Sequence, residues 1–126
     1  MRALMLIAAA ATVVSCSRPA MPQRSDFAEA VAGRVAGAPQ MCISTNQAEN
    51  LRVLDPQTVA YGFGPKIYVN RLAAACPGIS QFNTIIVEPG IGGQYCRNDR
   101  IRGLEPGTTI PGPSCNLGDW VPYRRP

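Results

Sequence analysis

The stretch TVAYGFGPKIYVNRL, residues 58–72, decides the fold class of this chain. It opens with β-branched and aromatic residues and then reaches Gly62-Phe63-Gly64-Pro65, which is typical of a turn. In the segment after the turn, side chains alternate between two faces. One face carries Ile67, Val69 and Arg71, and the other carries Tyr68, Asn70 and Leu72. The stretch therefore predicts two strands around a turn.

Short strands of the same kind are predicted along the rest of the body. Asp55-Pro56 marks a further turn, and Pro89–Gly93 is predicted to be a hairpin loop that reverses the chain. With 12 glycines and 12 prolines, the chain suits many strands joined by turns. We therefore expect a mainly β fold, a small antiparallel barrel or sandwich. The further predicted strands are Met41–Ser44, Leu51–Leu54, Thr84–Val87, Gln94–Cys96, Arg100–Leu104 and Trp120–Tyr123.

One short helix is predicted before the strands. Asp26 and Glu29 have the spacing of a capping box. Phe27, Val31 and Val35 recur every four residues on one helix face. The helix is expected to end near Gly37 and Pro39 and to pack on the body, because a helix this short is marginal alone.

The first sixteen residues, MRALMLIAAAATVVSC, indicate export. Arg2 precedes an apolar run that is shorter than the roughly 20 residues needed to span a bilayer. Because the run ends on Val-Val-Ser-Cys, we predict a lipoprotein signal peptide at residues 1–15 and a diacylglycerol on Cys16. Two alternatives remain: an ordinary secretory signal cut within Ser15-Cys16-Ser17, and an uncut membrane anchor.

This interpretation divides the chain into three parts. Residues 1–15 are the signal, residues 16–24 are the lipidated cysteine and a polar, Pro-containing flexible tether, and residues 25–126 are a single domain. Ser17 follows the lipidated position. By resemblance to Gram-negative sorting, a residue other than Asp there implies the outer membrane, with the domain facing the periplasm.

Four cysteines remain for the exported domain: Cys42, Cys76, Cys96 and Cys115. In an oxidising compartment this even number predicts two disulfides. Three pairings are open. We favour Cys76–Cys96, which would join the start and the end of a segment that runs out and returns antiparallel. The second disulfide would then be Cys42–Cys115. The wide spacings do not suit a zinc site, and there is no C-x-x-C redox motif. No metal or cofactor is predicted.

Few residues are candidates for chemistry or binding. The chain has no histidine, which removes the commonest acid-base group at neutral pH. Arg97, Arg100 and Arg102 form a basic cluster that could meet an anion, or could serve only as a solvated strand edge. A net charge of +4 is weak evidence for a polyanion, and no nucleic-acid partner is predicted. We expect Asp55, Asp99 and Asp119 to serve in turns. We expect the aromatic side chains to pack in the core, and these are Tyr61, Tyr68, Tyr95, Trp120 and Tyr123.

The body contains an ordered series of segments: Gly33–Gly37, Cys42-Ile43, Val53-x-Asp55 with Thr58, Tyr68–Leu72, Cys76-Pro77-Gly78, Tyr95-Cys96 with Asp99, and Cys115-x-Leu117-Gly118-Asp119-Trp120-Val121-Pro122-Tyr123. This series resembles a family of small secreted or lipidated proteins from alphaproteobacteria. The resemblance covers residues 33–124 and is most specific in the order of the cysteines. It implies export and disulfides, but the family has no assigned activity and so supplies no catalytic residue.

Together these observations predict a non-enzymatic envelope lipoprotein that does structural or interaction work. Its expected partners are the membrane, through the N-terminal lipid, and an envelope protein or an anionic glycan or lipid. The alternative is a module that binds lipopolysaccharide or peptidoglycan through Arg97, Arg100 and Arg102.

Overall fold

The computed structural model describes residues 26–46, 49–88 and 92–126. Within these ranges the chain forms one short helix and ten strands in three antiparallel sheets. The helix α1 is Asp26–Val31. The strands are β1 Val35–Ala36, β2 Cys42–Ser44, β3 Arg52–Asp55, β4 Thr58–Tyr61, β5 Lys66–Arg71, β6 Thr84–Glu88, β7 Gln94–Cys96, β8 Arg100–Leu104, β9 Cys115–Asn116 and β10 Trp120–Arg124.

The largest sheet has the strand order β1-β10-β5-β4-β3. Its centre is the stretch from Thr58 to Leu72, which forms two adjacent antiparallel strands, β4 and β5, as predicted. The C-terminal strand β10 then inserts between β5 and β1, with Trp120 opposite Asn70. Residues from the two ends of the domain therefore lie side by side on this sheet.

Both faces of the five-stranded sheet are covered, and the alternation predicted for β5 is confirmed. Ile67 and Val69 join a small core that packs against α1, where the Phe27 ring meets Tyr123 edge-on at 6.3 Å. On the other face Tyr68 and Leu72 join the main core, whose largest fully buried side chain is Trp120. That main core includes Ile43 from β2 and Ile101 from β8, so the smaller sheets cover this face.

The two smaller sheets are paired differently from the prediction. Gln94–Cys96 was expected to return along Thr84–Val87, but β7 pairs with β2, and β6 pairs with β8. The expectation was wrong because the partner of a three-residue strand is chosen by long-range packing and not by chain proximity. Of the predicted hairpin loop, residues 89–91 lie outside the described part of the chain.

The predicted fold class is confirmed, while the favoured disulfide pairing is wrong. The bonds are Cys42–Cys96 and Cys76–Cys115. Cys42 and Cys96 lie directly opposite each other in β2 and β7, with Cα atoms 4.0 Å apart. Cys76 follows β5, and its backbone N–H donates to the Pro56 carbonyl in the β3–β4 turn. Its disulfide to Cys115 in β9 therefore ties the largest sheet to the three-stranded sheet. In the described residues none of the sheets closes into a barrel.

The helix is shorter than predicted. It ends at Val31, where Gly33 takes a positive φ of 69° and the Arg34 N–H closes a turn on the Val31 carbonyl. A glycine in this conformation ends a helix readily because it has no Cβ to clash. Val35, expected on the helix face, instead begins β1.

Candidate functional site

The predicted signal, the lipidation site Cys16 and the tether at residues 16–24 lie outside the described residues. In the described part of the chain, no helix is long and apolar enough to cross a bilayer.

The arginine cluster predicted from the sequence is partly neutralised. Arg97 pairs with Asp119 at 3.2 Å. Arg100 and Arg102 share one face of β8, as their spacing implies, and both reach Glu88, at 3.0 and 3.5 Å. Glu88 lies directly opposite Arg100 in β6. Each arginine therefore has a carboxylate partner, and Arg100 and Arg102 together retain one unbalanced positive charge.

Asp55 and Asp99 serve the turn roles expected of them, whereas Asp119 pairs with Arg97. Asp55 accepts a hydrogen bond from the Gln57 N–H at 2.7 Å across the β3–β4 turn. Asp99 accepts one from the Cys96 N–H at 2.7 Å in the β7–β8 turn, where Asn98 has a positive φ of 73°. No group of three or more His, Cys, Asp or Glu side chains suited to a metal occurs among the residues described.

The aromatic residues pack rather than form a ligand platform. Tyr61 and Tyr95 meet edge-on, with ring centroids 5.8 Å apart, and the Tyr61 hydroxyl accepts a hydrogen bond from the Asn46 N–H. Burial and then the nearby Tyr61 hydroxyl raise the pKa of Tyr95 above its ordinary value. Tyr68 lies beneath the Lys66 ammonium, which is 4.5 Å from the ring centroid.

Two of the open grooves on the described part of the body have volumes of about 500 Å³. One, of about 450 Å³, is lined by Asp26 and Glu29 of α1 and by Arg52 of β3. The other, of about 510 Å³, lies beside Gly78, Gly103 and the loop around Ile110. Glu105 and Thr108 also line the second groove, where the Thr108 hydroxyl donates to the Glu105 backbone carbonyl at 2.8 Å.

A second group of cations, which the sequence analysis did not single out, gathers at one end of the five-stranded sheet. Lys66 and Arg124 are directly opposite each other in β5 and β10, and Arg124 is also opposite Val35, which Arg34 precedes. The Arg125 N–H donates to the Pro65 carbonyl, which places Arg125 at the same end. We call Arg34, Arg52, Lys66, Arg124 and Arg125 the basic end.

Arg52 reaches the basic end from the edge strand β3. Its Nη2 donates to the Gly62 carbonyl at 3.1 Å, and its guanidinium lies 4.5 Å from the Phe63 ring centroid. Burial, followed by the positive charge of Arg34, lowers the pKa of Arg52. Two guanidinium groups therefore lie close enough to repel each other.

No described carboxylate forms an ion pair with any cation of the basic end. Three acids are near: Asp26 and Glu29 line the same groove as Arg52, and the Glu49 Oε2 lies 3.9 Å from where a Cβ on Gly62 would be. Two apolar side chains are exposed at the same end, Phe63 at 60 % and Val35 at 64 %. The only sequence signal for this surface was the Arg124-Arg125 pair, because the other members are distant in sequence.

Comparison with known proteins adds no assignment. No protein-family model matches the chain, and no curated protein or solved structure shows significant similarity to it.

Proposed function

We propose that this chain is a non-enzymatic cell-envelope lipoprotein, a disulfide-stapled β domain held by a lipid on Cys16 at the outer membrane and facing the periplasm. Residues 1–15 are the signal peptide and residues 16–24 the lipidated cysteine and tether. The domain does structural or interaction work there.

The distribution of the five cysteines carries this proposal. Four of them form two disulfides in the body, which is the pattern of a chain that folds in an oxidising compartment. Cys16 is outside these two bonds, and it directly follows the apolar run and Val13-Val14-Ser15. A signal that ends on a lipidated cysteine accounts for both facts.

The residues available for chemistry support a non-enzymatic role. The chain contains no histidine, and Asp55 and Asp99 accept backbone hydrogen bonds in turns. Asp119 pairs with Arg97. Each of these carboxylates is engaged in a hydrogen bond or an ion pair within the fold.

Metabolic labelling with an alkyne fatty acid tests the proposal. We expect label on the wild-type protein in the outer-membrane fraction, and none on a Cys16→Ser variant. A Ser17→Ala variant is the matched control and should label normally. Unlabelled wild-type protein in the soluble periplasm would contradict the anchor and favour the ordinary secretory signal.

A second candidate function is binding of lipopolysaccharide or peptidoglycan through Arg97, Arg100 and Arg102. The observation in its favour is that Arg100 and Arg102 share one carboxylate, Glu88. Salt-sensitive binding that an Arg97→Ala/Arg100→Ala/Arg102→Ala variant loses and a Glu88→Gln variant strengthens would support it. Binding that is absent or independent of salt would exclude it.

A further inference from the structure

We propose that the basic end lies against an anionic phospholipid surface, with its cations on the headgroup phosphates and Phe63 and Val35 among the headgroups. This inference rests on the proposed function, because the lipid on Cys16 brings the domain to a bilayer. It adds the face that the domain presents there.

The arrangement of the cations does not serve the stability of the sheet. Lys66 and Arg124 are directly opposite each other, and like charges in this position destabilise a sheet. Arg34 and Arg52 repel each other as well, which contributes to the lowered pKa of Arg52. An anionic partner would relieve both repulsions, and no described carboxylate pairs with these groups.

The apolar side chains distinguish a lipid surface from a soluble anion. Phe63 is at the tip of the β4–β5 turn, where Gly62 and Gly64 take φ values of 89° and 78°. The ring is 60 % exposed there rather than folded into the core. Cations beside exposed apolar side chains match the interface, where rings lie near the acyl boundary and cations reach phosphates. A free phosphate would not use Phe63.

The short segment between Cys16 and α1 would hold the whole domain, and with it the basic end, within reach of a bilayer. Nine residues lie between Cys16 and Asp26, and the ten steps along the chain, at about 3.6 Å each, reach at most about 36 Å. A tether this short makes docking an intramolecular step with a high effective concentration. A modest intrinsic affinity of the basic end is therefore sufficient.

Tryptophan reporters in proteoliposomes test the proposal on the full-length, processed protein. Phe63→Trp and, as a second reporter, Val35→Trp are placed in vesicles that contain brominated phosphatidylcholine, with or without phosphatidylglycerol. Ile110→Trp, at a site 82 % exposed in the loop between β8 and β9, is the matched control. The native Trp120, which is fully buried, is subtracted using wild-type protein.

We expect bromine quenching at positions 63 and 35 in anionic vesicles, and little at position 110. Each cation near an anionic surface strengthens docking about fivefold, so Lys66→Gln/Arg124→Gln should lower the docked-to-undocked ratio about 25-fold. Arg100→Gln/Arg102→Gln, which removes cations paired with Glu88, should leave it unchanged. Salt at 0.5 M should also reduce quenching at positions 63 and 35.

Equal quenching at positions 63, 35 and 110 would overturn the proposal, provided that the same sample carries lipid on Cys16 by mass. Quenching that responds to neither salt nor the loss of Lys66 and Arg124 would overturn it too. Failure of the proposed function gives a different result, since protein without the lipid would not be retained in the vesicles during preparation.

Discussion

Asn70 and Gly118, which are 48 positions apart in sequence, hydrogen-bond to each other twice. The Asn70 Nδ2 donates to the Gly118 carbonyl at 2.7 Å, and the Gly118 N–H donates to the Asn70 Oδ1 at 2.8 Å. Asn70 is fully buried beside Trp120, its partner in the register of β5 and β10. The Asn70 side-chain amide therefore donates and accepts as a backbone peptide group would. These two bonds hold the loop before β10 against β5.

The first prediction concerns this amide. Asn70→Ala leaves both Gly118 backbone groups without their partner, so we expect it to lower the free energy of unfolding by about 2–4 kcal/mol. Asn116→Ala, at an exposed position in β9, is the control and should change it by less than about 0.5 kcal/mol. Urea unfolding followed by Trp120 fluorescence measures both. Equal stabilities would mean that the amide is dispensable.

The second prediction concerns a close backbone crossing at Gly103 in β8. A Cβ there would overlap the carbonyl oxygen of Gly78, which also accepts a hydrogen bond from the Asn83 Nδ2. Because the obstacle is backbone, Gly103→Ala should destabilise the fold by about 3 kcal/mol. Gly92→Ala, where a Cβ meets nothing within 4 Å, is the matched control. If Gly103→Ala and Gly92→Ala had the same melting temperature, the backbone at Gly103 and Gly78 would be able to move apart and accommodate the Cβ.

The third prediction is the disulfide map. Trypsin leaves Cys76 and Cys96 in one peptide, residues 72–97, so a second cut by chymotrypsin after the exposed Phe82 is needed. Without reduction, we expect the peptide with Cys42 to be linked to that with Cys96. The peptide with Cys76 should be linked to that with Cys115. In the chain-entropy model each bond stabilises the fold by about 4 kcal/mol. A Cys76–Cys96 link would contradict the pairing of β2 with β7.

The fourth prediction follows from the raised pKa of Tyr95. The folded protein keeps this hydroxyl protonated at a pH where the unfolded chain, with a pKa near 10, has lost the proton. Stability should therefore fall as the pH rises above about 10. Tyr95→Phe should lose less stability than wild type between about pH 9 and pH 11, as measured by thermal unfolding. Parallel profiles for the two proteins would rule out this linkage.

Much of the fold could be predicted because its signals are local. The run Thr58–Tyr61, the turn at Gly62–Pro65 and the alternation in Lys66–Arg71 each lie within a few residues, and each corresponds to an observed element. The two-residue strands β1 and β9 were missed because two residues carry no periodicity. Gly33 ended the helix early by adopting a positive φ, which the side-chain pattern did not indicate.

Strand partners, disulfides and the basic end could not be predicted because they are non-local. Strand β6 pairs with β8 and not with β7, which is the next strand in sequence. Strand β7 pairs instead with β2, and this pairing brings Cys96 to Cys42. Lys66 and Arg124 become neighbours only because β10 inserts between β1 and β5. No pattern within a short window specifies that insertion, since packing of Trp120 and Asn70 in the core determines it.

Intact mass of the protein extracted from its membrane, before and after reduction, tests the anchor and the disulfide framework together. We predict a chain that starts at Cys16 and carries diacylglycerol and acyl groups, and that gains four hydrogens on reduction of its two disulfides. A mass with an unmodified Cys16, or one that does not change on reduction, would contradict the proposal of a lipid-anchored, disulfide-stapled domain.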